Sequence, residues 1–535
     1  MARVVGEAEV KISKSSRMRF YIHLAVAFLI FVAVFALLVP HARPTRKLRG
    51  YILTENEPVA EARVRFQGHI LSVLSKSDGA FVLPVLWDSS SRITAWKEGF
   101  FIGSAPADAD PLVVKLTRLP AEDNENYAWV EPGSDPARRQ NCGNCHREIY
   151  DEWWAGGHAR SGTNRRFLNL YDGSDWQGRA HVGWSLRDDH PDGLGVCNAC
   201  HAPTAPFDAD LRTLAGEAAR GVHCDFCHKI AEANTEHIGF THGRYGLELL
   251  RPAHSSPSPL GGEGGVRGSS SPGQIFFGPL DDVDRGEDTY SPLYRESRYC
   301  ASCHEGVVFG VPVYTTYSEW LESPARKEGK QCQTCHMAPT GKMTNIAPGK
   351  GGIERDPRSL GNHRFFAPSQ ASMLRRSLQV SAEATPGADF LEATVRIEAE
   401  QVGHRLPTGF VDRNLVLVVE ALGAGGSSLP PSQGPKIPAF AGQEWAGKAG
   451  KVYAKRLTDF DGKSPVPFWR AKPEVEDTRL IPGQADFIQW RFPGGPSRLR
   501  LRLIYRRFWP ETAKAKGWPQ DDIVVIDRDF LVTSR

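Results

Sequence analysis

The ten cysteines of this chain fall into five Cys-x-x-Cys pairs, and a histidine follows each pair at once. The five units are Cys142-Gly143-Asn144-Cys145-His146, Cys197-Asn198-Ala199-Cys200-His201, Cys224-Asp225-Phe226-Cys227-His228, Cys300-Ala301-Ser302-Cys303-His304 and Cys332-Gln333-Thr334-Cys335-His336, with no cysteine left over. With 17 histidines in 535 residues, a given position is His with a probability of roughly 0.03, so five successive hits by chance are on the order of one in ten million or rarer. The repeat has a chemical cause, and whatever the chain folds into must accommodate it five times.

Two thiols three positions apart on one turn of helix can form thioethers to the two vinyl groups of one haem, and the next residue then brings its imidazole under the iron. Structural zinc in all-cysteine tetrahedral sites uses such pairs two at a time, and five pairs do not divide that way. A thioredoxin-like redox disulfide accounts for one pair beside a βαβ unit, but neither for the repeat nor for the histidine after it. The motifs therefore predict five covalent haems c, with His146, His201, His228, His304 and His336 as proximal iron ligands.

At 535 residues the chain is too long for one core and divides into several units. Residues 1–47 read as a tail and membrane anchor. The span 21–39 is apolar except for His23, and 19 residues at 1.5 Å rise reach roughly 28 Å, about the thickness of a bilayer's hydrocarbon. A cleaved signal peptide is the alternative, but no small-x-small cleavage site follows Pro40, so an uncleaved anchor is expected. Residues 48–120 alternate in short apolar runs around Ser77-Asp78-Gly79 and predict a small β-sandwich, expected to be a spacer. Residues 121–140 read as a linker and 141–370 as the pentahaem domain. Its fold is expected to be irregular or α, because five haems in so short a stretch must themselves form much of the core. A Gly/Ser/Pro insertion at 255–273 is expected to be disordered. Residues 371–535 return to a period of two and predict a C-terminal β-sandwich.

Hydrophobic (41%) and charged (24%) fractions are those of an ordinary globular protein, and 65 Lys plus Arg against 62 Asp plus Glu leave +3. That balance is too slight to make nucleic acid the expected partner. Arg498, Arg500 and Arg502 alternate with leucines, which is the pattern of a solvated sheet face.

Sixth ligands must come from the twelve other histidines, nine of which lie in or just after the haem region. His158 follows Trp153-Trp154-Ala155-Gly156-Gly157, where glycines permit close approach to a flat macrocycle. His363 precedes Arg364-Phe365-Phe366, and His404 lies in the polar loop Gly403-His404-Arg405-Leu406-Pro407-Thr408-Gly409. These three are distal candidates; His190, His223 and His242 are weaker ones. Methionine supply is small, with only Met337, Met343 and Met373 after the apolar span. Most irons are expected to be bis-His or five-coordinate, with low potentials for c-type haem.

Five stretches carry a resemblance to known proteins: Trp154 with His158, the run Tyr299 to His304, the segment Thr316-Tyr317-Ser318-Glu319-Trp320, the run Cys332 to Met337, and His363-Arg364-Phe365. Over about 141–366 the chain resembles the multihaem c-type cytochromes related to the tetrahaem cytochrome of ammonia oxidation and their nitrite-reductase-like relatives. That resemblance implies distal ligation by His158 and His363. The loop Gly403 to Gly409 resembles the β-sandwich appended to some of these cytochromes, which implies the same for His404. The stretches Pro58 to Val64 and Ser77 to Phe81 resemble carboxypeptidase regulatory-like domains. The chain departs from the pentahaem nitrite reductases in having no Cys-x-x-Cys-Lys motif, so their catalytic haem has no counterpart.

The function expected is that of a membrane-anchored pentahaem cytochrome in the periplasm or an equivalent compartment. It would carry electrons between other redox proteins or the quinone pool, more as a carrier than as a self-standing enzyme. The alternative is an oxidoreductase with one five-coordinate haem acting on a small nitrogen or sulfur compound. A third reading makes the β-domains docking parts in a respiratory complex. A pyridine haemochrome assay should give five haems per chain that survive acid-acetone extraction; fewer than about four, from a host able to attach haem, would refute the count.

Overall fold

The computed structural model describes residues 46–85, 90–135, 137, 141–191, 195–253, 273–367, 371–423, 425–494 and 498–532. The apolar span 21–39 and all but the last residue of the insertion 255–273 lie outside them. The expected fold class, with its transmembrane helix and α-type haem domain, needs correction. Among the described residues no helix is long and apolar enough to cross a membrane. The longest, Arg147–Trp154 and Arg165–Asp172, have eight residues each, about 12 Å of rise where roughly 20 residues are needed to span. The described chain is instead rich in strands distributed over seven sheets, with few and short helices.

Residues 46–118 form two four-stranded sheets. Arg46–Thr54 is the centre of one, flanked by Glu57–Pro58 and Ala80–Val85 and paired in parallel with Val113–Lys115; the other runs Ser72–Leu74, Arg63–Phe66, Arg92–Trp96, Gly103–Pro106. Alternation along these strands turns Ile52, Val64, Phe66, Phe81, Leu83, Ile93 and Val114 into a common core. The Ser77-Asp78-Gly79 turn closes as its residue types dictate, with Gly79 at φ +75° and Asp78 accepting from the Ala80 amide at 2.9 Å.

Residues 141–367 carry only short helices and two-stranded ribbons. The reason is local: each motif uses a short helical turn that ends on its histidine, as in Gly195–His201, Arg298–His304 and Cys332–His336, or up to two residues short of it, as in Cys224–Cys227 and Cys142–Asn144. After His304 the chain turns at once into the ribbon Glu305–Val308 and Val311–Thr315. The two-residue loop Phe309-Gly310 has both φ values positive, +54° and +76°, the geometry that twisted hairpins favour.

Residues 378–531 form a second pair of sheets. Leu378–Pro386, Phe390–Ala399 and Ala485–Pro493 pack on a larger sheet ordered Val475–Asp477, Gly450–Leu457, Asn414–Leu422, Arg498–Arg506, Ile523–Leu531. Asn414–Leu422 is buried along its whole length. One face meets the smaller sheet, and the other is covered by Ile437, Phe440, Ala441 and Trp445. Arg498, Arg500 and Arg502 are neutralised across the strands by Asp529, Asp527 and Glu420.

Both β-units dock on the haem-motif region through polar contacts. Arg63 and Arg65 pair with Asp281, while Asp282 accepts from the Gly68 amide at 2.7 Å and from Arg355 at 2.8 Å and 3.1 Å. On the other side the buried Lys516 donates to the carbonyls of Asn169 (2.8 Å) and Ser174 (3.0 Å), and Arg470 pairs with Asp189 at 2.6 Å. The 48–120 unit is therefore not the free spacer expected from sequence. Asp282→Ala leaves the Arg355 guanidinium without its carboxylate and should cost about 3–5 kcal/mol, as removal of one partner from a buried pair does. Denaturant unfolding of the full chain measures it, and Arg491→Ala, which removes an exposed pair with Glu392, should cost under about 1 kcal/mol.

Candidate haem-binding site

Four of the five motif histidines make the same local bond. The Nδ1–H of His146 donates to the carbonyl of Ile346 (2.8 Å), that of His201 to Ser161 (3.1 Å), that of His228 to Phe277 (2.6 Å) and that of His336 to Phe366 (2.5 Å). A carbonyl can only accept, so the proton is held on Nδ1 and the lone pair is left on Nε2, the arrangement of a metal-ligating imidazole. His363 and His404 do the same toward the carbonyls of Gly361 (3.1 Å) and Arg405 (3.0 Å). Burial holds the group neutral: His146, His158, His223, His363 and His404 are pulled down to about 4. Burial, then the neighbouring His158 and His336, take His304 to about 3.

All ten cysteines, the five motif histidines, and His158, His223, His242, His363 and His404 line one continuous cavity of about 3670 Å³. An ordinary small-molecule pocket is roughly 300–1,000 Å³, so this one has room for several large flat groups. None of the ten cysteines forms a disulfide. Among the described residues no three His, Cys, Asp or Glu side chains converge to hold a bare metal ion, which argues against zinc.

Two histidine pairs have a more specific spacing. The ring centres of His158 and His304 are 6.3 Å apart, and those of His336 and His404 are 6.2 Å apart and nearly parallel. With a metal–imidazole bond of about 2 Å and about 1.1 Å from nitrogen to ring centre, two imidazoles on opposite faces of one metal have centres about 6.3 Å apart. The residues present thus fit haem: His158 opposite His304 and His404 opposite His336. His363 lies in the field of His228 and His146. His223 has a buried Nδ1 without a hydrogen-bond partner, its Nε2 being 3.3 Å from the Thr204 hydroxyl. His242 stands beside Gly306 on the ribbon after the fourth motif. His190 is not brought to the cavity; its Nε2–H donates to the Trp469 carbonyl at 3.0 Å.

The motifs touch one another through their thiols. Cys142 lies beside Cys224, Cys200 beside Cys303 and Cys332 beside Cys300, close enough for each to raise its neighbour's thiol. This sets the first motif against the third, the second against the fourth and the fourth against the fifth.

Two carboxylates missed from sequence hold the candidate ligands in place. Glu152 accepts from the Asn362 amide group and from the His363 backbone N–H at 2.9 Å. Glu319, on helix Thr316–Glu322, accepts from the Arg405 backbone N–H and the Thr408 hydroxyl, both at 3.1 Å, and pairs with Arg479 at 2.6 Å. The helix is tied back to the fourth motif by Glu305, which accepts from the Tyr317 and Ser318 amides at 3.0 Å each. Gly403 allows the loop to approach Trp320, since a Cβ there would sit 3.2 Å from the indole, and Gly409 has φ +90°. Gly156 serves a different purpose from the one its sequence context implied: its close neighbour is the Arg364 carbonyl, 2.6 Å from where a Cβ would be. The N-terminal unit also reaches the site, with Gln67, Arg92, Ser104 and Arg118 on the cavity wall.

This geometry has a counterpart among solved structures. The penta-heme cytochrome c552 from Thermochromatium tepidum matches 73% of this chain with 97% of its own, at 23% identity and a TM-score of 0.54. The chain has a multihaem cytochrome c-like fold. The Fcho1 Mu homology domain of Danio rerio with bound Eps15 peptide matches 26% of this chain and 40% of its own at 13% identity, and its TM-score of 0.12 is too low to bear on the fold. No family model and no curated protein matches the chain.

His404→Ala should leave covalent haem content unchanged and turn one low-spin haem high-spin in the electron paramagnetic resonance spectrum. His190→Ala should leave the spectrum as it is. An unaltered spectrum in the His404 variant would remove it from the ligand set.

Proposed function

We propose that the chain is a pentahaem c-type cytochrome that carries electrons, attaching one haem at each Cys-x-x-Cys-His unit. The observation that carries this reading is the single cavity into which twenty Cys and His side chains project, two His pairs among them spaced for opposite faces of one iron. A bound haem c supplies a one-electron iron couple. The protein's part is to hold four of the motif imidazoles with the proton on Nδ1 and the lone pair on Nε2, and to set motif against motif in a connected series. Where two imidazoles such as His336 and His404 would hold one haem between them, no position would be left for a substrate, which suits a relay.

The partners proposed are other redox proteins or the quinone pool, in an extracytoplasmic compartment where c-type haem is attached. The N-terminal unit, read as carboxypeptidase regulatory-like, has the role of cavity wall and clamp on the segment around Asp281 and Asp282.

Ligand binding tests the reading. Carbon monoxide added to the dithionite-reduced protein should leave the Soret and α bands unchanged. A shift equivalent to one haem in five would mean an open iron and favour an oxidoreductase acting on a small nitrogen or sulfur compound.

A further inference from the structure

The fifth motif differs from the other four in exposure and in charge. Cys335 is the only exposed motif cysteine; the other nine are partly covered. None of the residues of helix Cys332–His336 is buried. A group bonded to the Cys335 sulfur therefore begins at the protein surface.

The sequence that carries this motif is also basic. Between residues 324 and 376 there are ten lysines and arginines against three acids, an excess of seven positive charges. The rest of the chain has 55 against 59, an excess of four negative charges. Nine of the ten cations are exposed, and the tenth, Arg355, is committed to Asp282. Among the described residues only Lys330 and Arg358 of those nine have a carboxylate partner, Glu328 and Asp356. The fields of Lys330 and Arg376 reach the Cys335 sulfur, and that of Arg326 reaches Tyr317 beside Cys332. Lys330, Lys350 and Arg358 also stand on the rim of the cavity. Lys330 and Arg376 thus stand at the most exposed motif cysteine, within the most basic stretch of haem-motif sequence.

We infer that the face around Cys335, Lys330 and Arg376 is the docking surface for a one-electron carrier protein that presents an acidic patch around its own redox group. The inference rests on the fifth motif carrying haem, as proposed above. Opposite charge steers such a partner to the exposed motif and raises the association rate, and added salt removes the effect by screening. The contact needs no large apolar area, because electron-transfer encounters are small and short-lived.

The test uses flavodoxin, an acidic one-electron donor, with the full haem-loaded chain in stopped flow. The flavodoxin hydroquinone anion gives up one electron and becomes the neutral semiquinone, and one ferric iron becomes ferrous, with no proton transferred. The second-order rate constant should fall about tenfold or more as ionic strength rises from low to high salt. The Lys330→Glu/Arg376→Glu protein should react about tenfold more slowly at low salt, with a flattened salt dependence. Lys436→Glu/Lys463→Glu, which reverses two exposed lysines of the C-terminal unit, makes the same change in net charge and should react at the wild-type rate. Equal rates in all three proteins, a salt-independent wild-type rate, or equal losses in both double variants would each overturn the docking surface. Haem content by pyridine haemochrome and reduction by a small neutral flavin are measured on every variant. A protein lacking its fifth haem would show the failure there, which separates loss of the haem reading from loss of the docking surface.

Discussion

An imidazole whose Nδ1 proton is held by a carbonyl has one lone pair left, and that bond is the constraint on which the rest of this molecule turns. The carbonyl is never supplied by the motif itself. His146 takes it from Ile346, 200 residues away, His201 from Ser161, His228 from Phe277 and His336 from Phe366. Each of these four motifs is complete only when a distant segment has been brought to it. The short helices and ribbons of 141–367 are the means, since long helices would carry the chain past the places where those carbonyls are needed.

The two β-units are then parts of the site rather than attachments to it. The N-terminal sheets clamp the segment around Asp282 and line one wall of the cavity. The C-terminal sheets deliver His404 to within 6.2 Å of His336, ring centre to ring centre. Delivery depends on a buried ionic cluster: Glu319 from the haem-motif region joins Arg479, Asp477 and Arg405 from the β-unit. Nearby, Lys455, pulled down to about 8 by burial, donates to the Pro312 carbonyl and the Thr315 hydroxyl. Such a cluster adds little net stability, because desolvation offsets most of its Coulomb energy. Its directional bonds define one way for the surfaces to meet, which is what a ligand arriving from another unit requires.

The same architecture separates inside from outside. Nine motif cysteines are partly covered, while the fifth motif presents Cys335 beside Lys330 and Arg376. Thiol contacts run from the second and fifth motifs to the fourth, and between the first and third. A partly covered array with one more exposed end suits a protein that receives or delivers electrons at a chosen point.

Much of this was legible in the residues. The attachment motif is local, three positions of spacing and one following histidine, so its fifteen residues could be named as candidates without a fold. The alternation of Val64 with Phe66 and of Leu499 with Leu501 and Leu503 marked the sheets, because a strand's period of two is also local. Pairing of ligands was not legible. His158 lies twelve residues after His146, yet stands opposite His304, and His190 looked no different in sequence from His223 or His242. Glu152 carried no signal, and Glu319, though inside the Thr316 to Trp320 resemblance, gave no sign of its role, since one carboxylate on a short helix resembles any other until the loop it accepts from is in place. The sequence by itself determined what is bonded to what along the chain. Which imidazole stands against which, and which surface meets solvent, was decided only by tertiary structure, because both depend on segments that approach through space and not along the backbone.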